Sequence, residues 1–351
     1  MNIFASDPVM GFIYKPFAKT YEKGREYNAP YQINSFGLRD REYEPKRYGV
    51  FRVLLLGDSF SASHGLAIED SLSRQLEKAL QQTADTYGKE VKFEVINAAA
   101  GGYSPYNYWK GYERWKTVFK PDTVIVGLSP DDYECDNENM NYLVENGEIT
   151  ALYMDGQEPA RRRGLSLKRV RKWLSWNSEF YVLMRNFFYY NDFGGCFTVR
   201  KSPGGVGNDT QFRLYAVSQR NNVKKIWSNT FSYLRKIREE TARDGVGLTV
   251  IPIPLKLEID PKQLQQLLAA KNMKDGQVDV DQTAREIIAF CKMEKIPVLD
   301  PRPALRERQS KAPCYFMYDG HWNEEGVRVA SISLARQWRD LALPPWGIQK
   351  R

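Results

Sequence analysis

The sequence predicts an α/β protein built on a doubly wound parallel sheet of five strands, and three observations carry that expectation. Five short runs are almost wholly apolar and rich in β-branched residues, as strands buried on both faces are. Helix-length amphipathic segments separate them, and strands alternating with helices imply crossovers that run the strands parallel. A chain of 351 residues, 42% hydrophobic and 27% charged, has room for one large α/β domain with an insertion. The same figures exclude disordered, collagen-like and coiled-coil classes.

Residues 1–50 are rich in Tyr, Pro, Gly and charge and have no clear period, so an extended N-terminal arm is expected over the domain. The first strand is Phe51 to Leu56, followed by a helix over Leu66 to Thr86. Val91 to Asn97 is the second strand, Tyr106 to Phe119 a helix and Thr123 to Leu128 the third strand. The rhythm then breaks between residues 133 and 220, which read as a helical insertion or cap. It resumes with a helix over Val223 to Arg243, the fourth strand at Leu248 to Ile253, and a helix over Asp281 to Glu294. Ile296 to Leu299 is the fifth strand and Glu324 to Leu341 the last helix. Residues 51–341 are thus expected as one domain carrying the 133–220 insertion.

Charge is distributed unevenly. The chain has 51 Lys plus Arg against 43 Asp plus Glu, a formal net charge of +8. Arg161, Arg162, Arg163, Lys168, Arg169, Arg171 and Lys172 follow one another with no acidic residue between Glu158 and Glu179, so this one segment holds most of the excess. It reads either as a patch for an anionic glycan or membrane surface, or as a solvated helix face. Nucleic acid is not expected as a partner, because no DNA- or RNA-binding module accompanies the charge. No run approaches the ~18–20 apolar residues of a membrane span, and Met1 to Lys19 lack the pattern of a signal peptide. The four cysteines, at positions 135, 196, 291 and 314, are scattered, and His64 and His321 are the only histidines. A metal site and a cofactor are therefore not expected, while disulfides and oligomeric state stay open.

In open α/β sheets ligands bind at the carboxyl ends of the strands. The first strand ends in Gly57-Asp58-Ser59-Phe60-Ser61, where Asp58 or Ser59 is either a helix cap or a reactive group near free helix amides. The second ends in Ala100-Gly101-Gly102-Tyr103, whose glycines permit close backbone approach or simply a turn. The third ends in Ser129-Pro130-Asp131-Asp132; the acidic string Asp132, Glu134, Asp136 lacks the Gly and the final Glu of a calcium loop. Just before the last helix stands Asp319-Gly320-His321-Trp322-Asn323. A carboxylate two residues from an imidazole can accept its N–H and fix the tautomer that a base facing a serine hydroxyl requires. His64 reads as a local structural residue. Trp109, Trp173, Trp176 and Trp322 offer stacking surfaces for sugars, though Trp at helical positions more often packs the core.

Taken together and in this order, Gly57-Asp58-Ser59-Phe60-Ser61, Gly102, Asp131-Asp132 and Asp319-Gly320-His321 resemble the blocks of the SGNH hydrolase superfamily, the GDSL-like esterases, over about residues 51–341. The resemblance implies a flavodoxin-like sheet and a triad of Ser59 as nucleophile, His321 as base and Asp319 as its orienting acid. It implies an oxyanion hole from the backbone N–H groups of Ser59 and Gly102 and a third-block side chain, here Asp131 where the family has Asn. Asp58, Trp322 and Asn323 lie beside these residues and are expected to contact substrate. The activity implied is that of a serine ester hydrolase working through an acyl-enzyme on O-acyl groups, in particular acetyl groups, of a carbohydrate or a small ester. Transfer of the acyl group to a sugar hydroxyl is the alternative on the same site. A second alternative is a glycan- or partner-binding scaffold, since an ionised Asp131 donates no hydrogen bond to an oxyanion. Asn34-Ser35-Phe36-Gly37-Leu38-Arg39-Asp40 and Ile253-Pro254-Leu255-Lys256 are similar to segments of bacterial cell-envelope, polysaccharide-modifying members. That likeness implies an extracytoplasmic location if the N-terminus is trimmed.

Overall fold

The computed structural model describes residues 3–133, 140–145, 148–154, 214–219, 227–270, 272–274 and 276–346. The arm is folded rather than merely extended. It consists of two antiparallel hairpins, β1 (Phe4–Asp7) with β2 (Gly11–Tyr14) and β3 (Lys19–Lys23) with β4 (Asn28–Gln32). Met10, Phe12, Tyr14, Tyr31, Ile33, Leu38 and Tyr43 are buried in the same cluster as the sheet residues Leu54 and Ile96, so the arm shares the core of the domain.

The central sheet contains β5 (Val50–Leu56), β6 (Lys92–Asn97), β7 (Thr123–Leu128) and, after the insertion, β10 (Gly247–Pro252). Its order is β10-β7-β5-β6 and every pairing is parallel. Side chains alternate between faces. Leu54, Leu56, Val124, Val126 and Val250 point to one side, where α2 (Pro105–Phe119), α3 (Ser228–Arg243), α6 (Gln282–Met293) and the arm pack. Val53, Leu55, Val95, Ile125 and Ile251 point to the other, covered by α1 (Leu72–Thr86), α7 (Arg302–Gln309) and α8 (Glu324–Asp340). Burial on both faces is why these strands read as unbroken apolar runs, and each fully buried aliphatic side chain contributes about 1.5–3 kcal/mol.

Three differences from the sequence reading have local causes. The fifth strand shrinks to a single parallel bridge, in which Pro297 O accepts from Val250 N and Leu299 N donates to Val250 O; Pro297 has no amide with which to extend a ladder. The helix after β5 starts at Leu72, not Leu66, because Ser63 (φ 59°) and Gly65 (φ 79°) take the left-handed region and keep residues 59–65 in turns. Two further helices, α4 (Lys256–Ile259) and α5 (Pro261–Ala270), follow β10, and neither they nor α7 was anticipated. The insertion opens with an antiparallel hairpin of β8 (Met140–Glu145) and β9 (Glu148–Met154). The basic run Arg161, Arg162, Arg163, Lys168, Arg169, Arg171 and Lys172 lies outside the described residues, as do Trp173, Trp176, Cys135 and Cys196. Cys291 and Cys314 are buried free thiols.

Candidate active site

The turn carrying Ser59 is built by two glycines and one arginine. A Cβ on Gly57 would lie 2.1 Å from the Ser61 hydroxyl, and one on Gly127 would lie 2.2 Å from it, so the Ser61 side chain is wedged between the ends of β5 and β7. That wedge turns the chain sharply at the strand exit and leaves Ser59 partly exposed at the carboxyl edge of the sheet. From the arm, the buried Arg39 guanidinium donates to the carbonyls of Ala62 (2.6 Å), Ser63 (3.1 Å) and Leu66. Its neighbour Asp40 accepts from the backbone N–H of Asn97 at 2.7 Å, and Asn97 Nδ2 donates to Ser61 O at 3.3 Å. The segment Asn34 to Asp40 therefore clamps the first two strand ends together.

The second half of the site is a narrow loop before α8. Tyr315 and Trp322 form an antiparallel bridge, Phe316 N donates to His321 O at 2.9 Å, and Gly320 turns the tip at φ 91°. Asn323 closes the loop: its Oδ1 caps α8 by accepting from Gly326 N (2.9 Å), and its Nδ2 donates to Pro313 O (3.1 Å). A side chain on Gly326 would strike Cys314 O, at 2.0 Å, which fixes glycine there. The arm holds this loop as well, since Glu26 accepts from the amides of Met317 (2.5 Å), Tyr318 (2.6 Å) and Asp319 (3.3 Å).

These two halves bring Ser59, His321 and Asp319 together from positions 262 residues apart. Ser59 Oγ is 2.7 Å from His321 Nε2, and His321 Nδ1 is 2.5 Å from Asp319 Oδ1. Burial raises the cost of charge on Asp319, but hydrogen bonds from His321 and His64 and their charges outweigh it and hold the carboxyl far below the usual carboxylate range. Asp319 is thus an acceptor throughout the pH range of a folded protein, as an orienting group for a base must be.

The other predicted residues divide by what they touch. Gly102 sits at the end of β6 at φ 85°, a conformation that favours glycine. Its neighbour Gly101 would place a Cβ 3.6 Å from Ser59 Cβ, so this backbone passes directly beside the hydroxyl. The Tyr14 hydroxyl engages the Gly101 backbone from the arm. Asp131 lies in the 3₁₀ turn Pro130–Tyr133 that follows β7, with its side chain outside the described residues. Asp132 is buried, accepting from Ser129 N (2.8 Å) and the Tyr108 hydroxyl (2.6 Å), and so secures that turn rather than holding an ion. Asp58 and Trp322 face inward, and Asn323 is half-buried. Asp58 is buried, bonded to the Phe60 amide (3.0 Å) and the Ser129 hydroxyl, and burial pushes its pKa up. Trp322 is 2% exposed and packs edge-on to Phe60, while both polar groups of Asn323 are used within its loop.

Sequence reasoning missed His64 as part of this cluster. Its ring centroid is 4.7 Å from that of His321, and its Nε2 lies 3.6 Å from Asp319 Oδ2. Ligand atoms of His64, Asp319 and His321 fall within 4.8 Å of one another, close enough for a cation. However, Nε2 of His64 already meets Tyr27 and both nitrogens of His321 meet Ser59 and Asp319, which makes the cluster a hydrogen-bonded network of the chain's own groups. Beside the loop, an open groove of about 950 Å³ runs from Met317 between α4–α5 and α7, lined by Lys256, Lys262, Asp260, Arg306 and Lys311 among others.

The layered sheet with this site at its carboxyl edge defines a doubly wound α/β protein. Residues 212–349 match the family model described as ALGX, SGNH hydrolase-like domain, acetyltransferase AlgX. Over those residues the chain is similar to the SGNH hydrolase-like domain that this model describes. No curated protein matches it in sequence. Among solved structures it is similar to TesA, at 13% identity over 83% of this chain and 99% of that one, with a TM-score of 0.42. It is also similar to a GDSL-like lipase from Bacteroides thetaiotaomicron (12% identity, 83% and 89% covered, TM-score 0.37). A third likeness is to an acetyl-xylooligosaccharide esterase from Geobacillus (12% identity, 86% and 97% covered, TM-score 0.39). At these scores the likenesses carry no statement about substrate.

Proposed function

We propose that the protein cleaves O-acyl esters through a covalent acyl-enzyme on Ser59. One observation carries this reading: the continuous chain from Ser59 Oγ through His321 to Asp319, at 2.7 and 2.5 Å. His321 Nε2 removes the Ser59 proton as Oγ attacks the acyl carbonyl, while Asp319 receives the Nδ1–H and stabilises the imidazolium. The tetrahedral oxyanion is placed at the backbone N–H groups of Ser59 and Gly102. His321 then protonates the departing alcohol, and the acyl group passes to water. Transfer to a sugar hydroxyl instead is favoured as a second outcome by the family description, which names an acetyltransferase over residues 212–349. The groove beside the loop, with Lys256, Lys262, Arg306 and Lys311 in its lining, offers room for an extended carbohydrate in either case.

Ser59→Ala and His321→Ala should each lower hydrolysis of a short aryl acetate by about 10³-fold or more, and Ser59→Ala should abolish labelling by a fluorophosphonate probe. Turnover retained in either variant would overturn the triad. Asp131 tests the oxyanion hole. One donor there is typically worth ~10²–10³ in rate, so Asp131→Asn should raise kcat; a fall would mean that Asp131 itself donates as a protonated acid.

A further inference from the structure

The arm contributes more to this site than a scaffold. Glu22 of β3 accepts from His64 Nδ1 at 2.8 Å and, through its other oxygen, from the Gly65 amide at 2.7 Å. On the opposite side of the ring, His64 Nε2 lies 2.8 Å from the Tyr27 hydroxyl, and that hydroxyl donates to Asp319 Oδ2 at 2.9 Å. We propose that Tyr27 and His64, braced by Glu22, are positioning residues for the base: a relay from the N-terminal arm that fixes the distal oxygen of Asp319 and sets a second imidazole behind His321. The proposal rests on the triad reading above.

Counting donors fixes the protons. Asp319 Oδ2 can only accept, so the single Tyr27 proton points to it. The Tyr27 oxygen must then accept from His64 Nε2, which therefore carries a proton. His64 Nδ1 faces the Glu22 carboxylate and carries the other. His64 is thus an imidazolium, whereas His321 must be neutral at Nε2 to receive the Ser59 proton. Burial opposes charge on His64, but the Asp319 and Glu22 carboxylates, 3.6 and 2.8 Å from its two ring nitrogens, outweigh it and raise its pKa to about 9. His64 in turn depresses Glu22, whose burial is outweighed by the hydrogen bond and charge of His64 and by the bond from the Gly65 amide.

Two rings 4.7 Å apart with opposite duties have a consequence for the base. A fixed positive charge at that distance works against a second one on the facing ring, so the charge on His64 is what the pH dependence of turnover reports. The other groups facing the pair are Asp319 in its own loop, Asp58 behind Ser59, Glu22, Glu26 and Tyr27 from the arm, and Lys256, whose Nζ rests on the carbonyls of Phe316 and Met317. Of these, His64 is the cation bonded into the relay.

The test uses the full chain and two readouts. His64→Gln keeps a donor toward Tyr27 and removes the charge; the acid limb of kcat/KM should move up by about one pH unit, with KM little changed. Tyr27→Phe deletes a hydrogen bond to a charged group and should lower kcat about tenfold. Because the chain has two histidines, ring NMR of histidine-labelled protein gives two titrating signals, assigned by His64→Gln. The His64 ring should titrate near 9 in the parent protein and well below that in Glu22→Gln. An acid limb unmoved in His64→Gln, or a His64 ring titrating near 6.5, would overturn the relay. The NMR titration is independent of turnover, so loss of the esterase reading through an active Ser59→Ala and loss of the relay are separately visible.

Discussion

At the scale of single residues, the Ser61 hydroxyl is the most informative group outside the hydrogen-bonded chain of Ser59, His321 and Asp319. It is buried between Gly57 and Gly127 and finds no hydrogen-bond partner. Its role is therefore volume, since the side chain sets the gap between two strand ends and the angle at which Ser59 leaves the sheet. Gly57→Ala would push a methyl into an oxygen and should destabilise by about 1–3 kcal/mol, the usual cost of overpacking. Ser61→Ala deletes an unsatisfied polar atom and should be neutral or stabilising. Chemical denaturation of both variants measures the two effects, and a Ser61→Ala protein less stable by more than about 2 kcal/mol would show that the hydroxyl has a polar role. Residues of this kind were half legible in the sequence. Ser59 stands out because it follows a strand end, and Asp319 and His321 because a carboxylate two residues from an imidazole stands just before the last helix. The burial of Asp58 and Trp322 was not legible, because adjacency to a reactive residue does not reveal which way a side chain turns; both turn into the core, while Asn323 stays half-buried in its loop.

At the scale of elements, the parallel strands were readable because burial on both faces demands continuous apolar runs. The hairpins of the arm were not. β3 alternates exposed and half-buried positions with charged residues at Lys19, Glu22 and Lys23, so its period is masked by residues kept for bonds to the site: Glu22 to His64, and Glu26 in the turn to the loop of Asp319. His64 escaped for the same reason, as its partners lie 42 and 37 residues before it. The likeness of Asn34 to Asp40 to a segment preceding the nucleophile block has a physical basis in Arg39. One guanidinium there satisfies three carbonyls of the nucleophile turn and lies over the Tyr31 ring. Arg39→Ala would leave those carbonyls without their donor and should cost about 3 kcal/mol or more. Arg39→Lys should recover only part, because an ammonium lacks the planar fork. Thermal melts and fluorophosphonate labelling rates should fall together across the two variants; a stable Arg39→Ala protein that still labels at the parent rate would assign the turn's geometry to β5 and β7 alone.

At the scale of the whole molecule, the groups that tie distant segments together also set how stability responds to pH. Glu258 of α4 is buried, where its carboxyl accepts from the Tyr215 hydroxyl (2.7 Å) and the Leu255 amide (3.3 Å) and so joins the last residues of the insertion to the chain that follows β10. Burial outweighs those bonds and pushes its pKa from 4.5 to about 8. A carboxyl whose folded pKa is raised holds more protons folded than unfolded between those values, so stability falls as pH rises through that window, by up to about 1.4 kcal/mol per unit. His64 extends the decline. Its folded pKa of about 9 against an ordinary 6.5 gives stability that is complete below 6.5 and lost as pH rises through 9. Asp319 acts in the opposite sense and only in acid, since its depressed pKa adds stability above about 4 that disappears as pH falls. The protein should therefore be most stable near pH 4.5–5 and weaken steadily toward pH 9. Glu258→Gln should flatten the curve between pH 4.5 and 8 and leave the slope above pH 8, whereas His64→Gln should flatten it from 6.5 to 9. Urea midpoints measured at half-unit intervals separate the two windows, and a parent protein whose stability rises from pH 5 to 8 would show that Glu258 ionises freely in the fold.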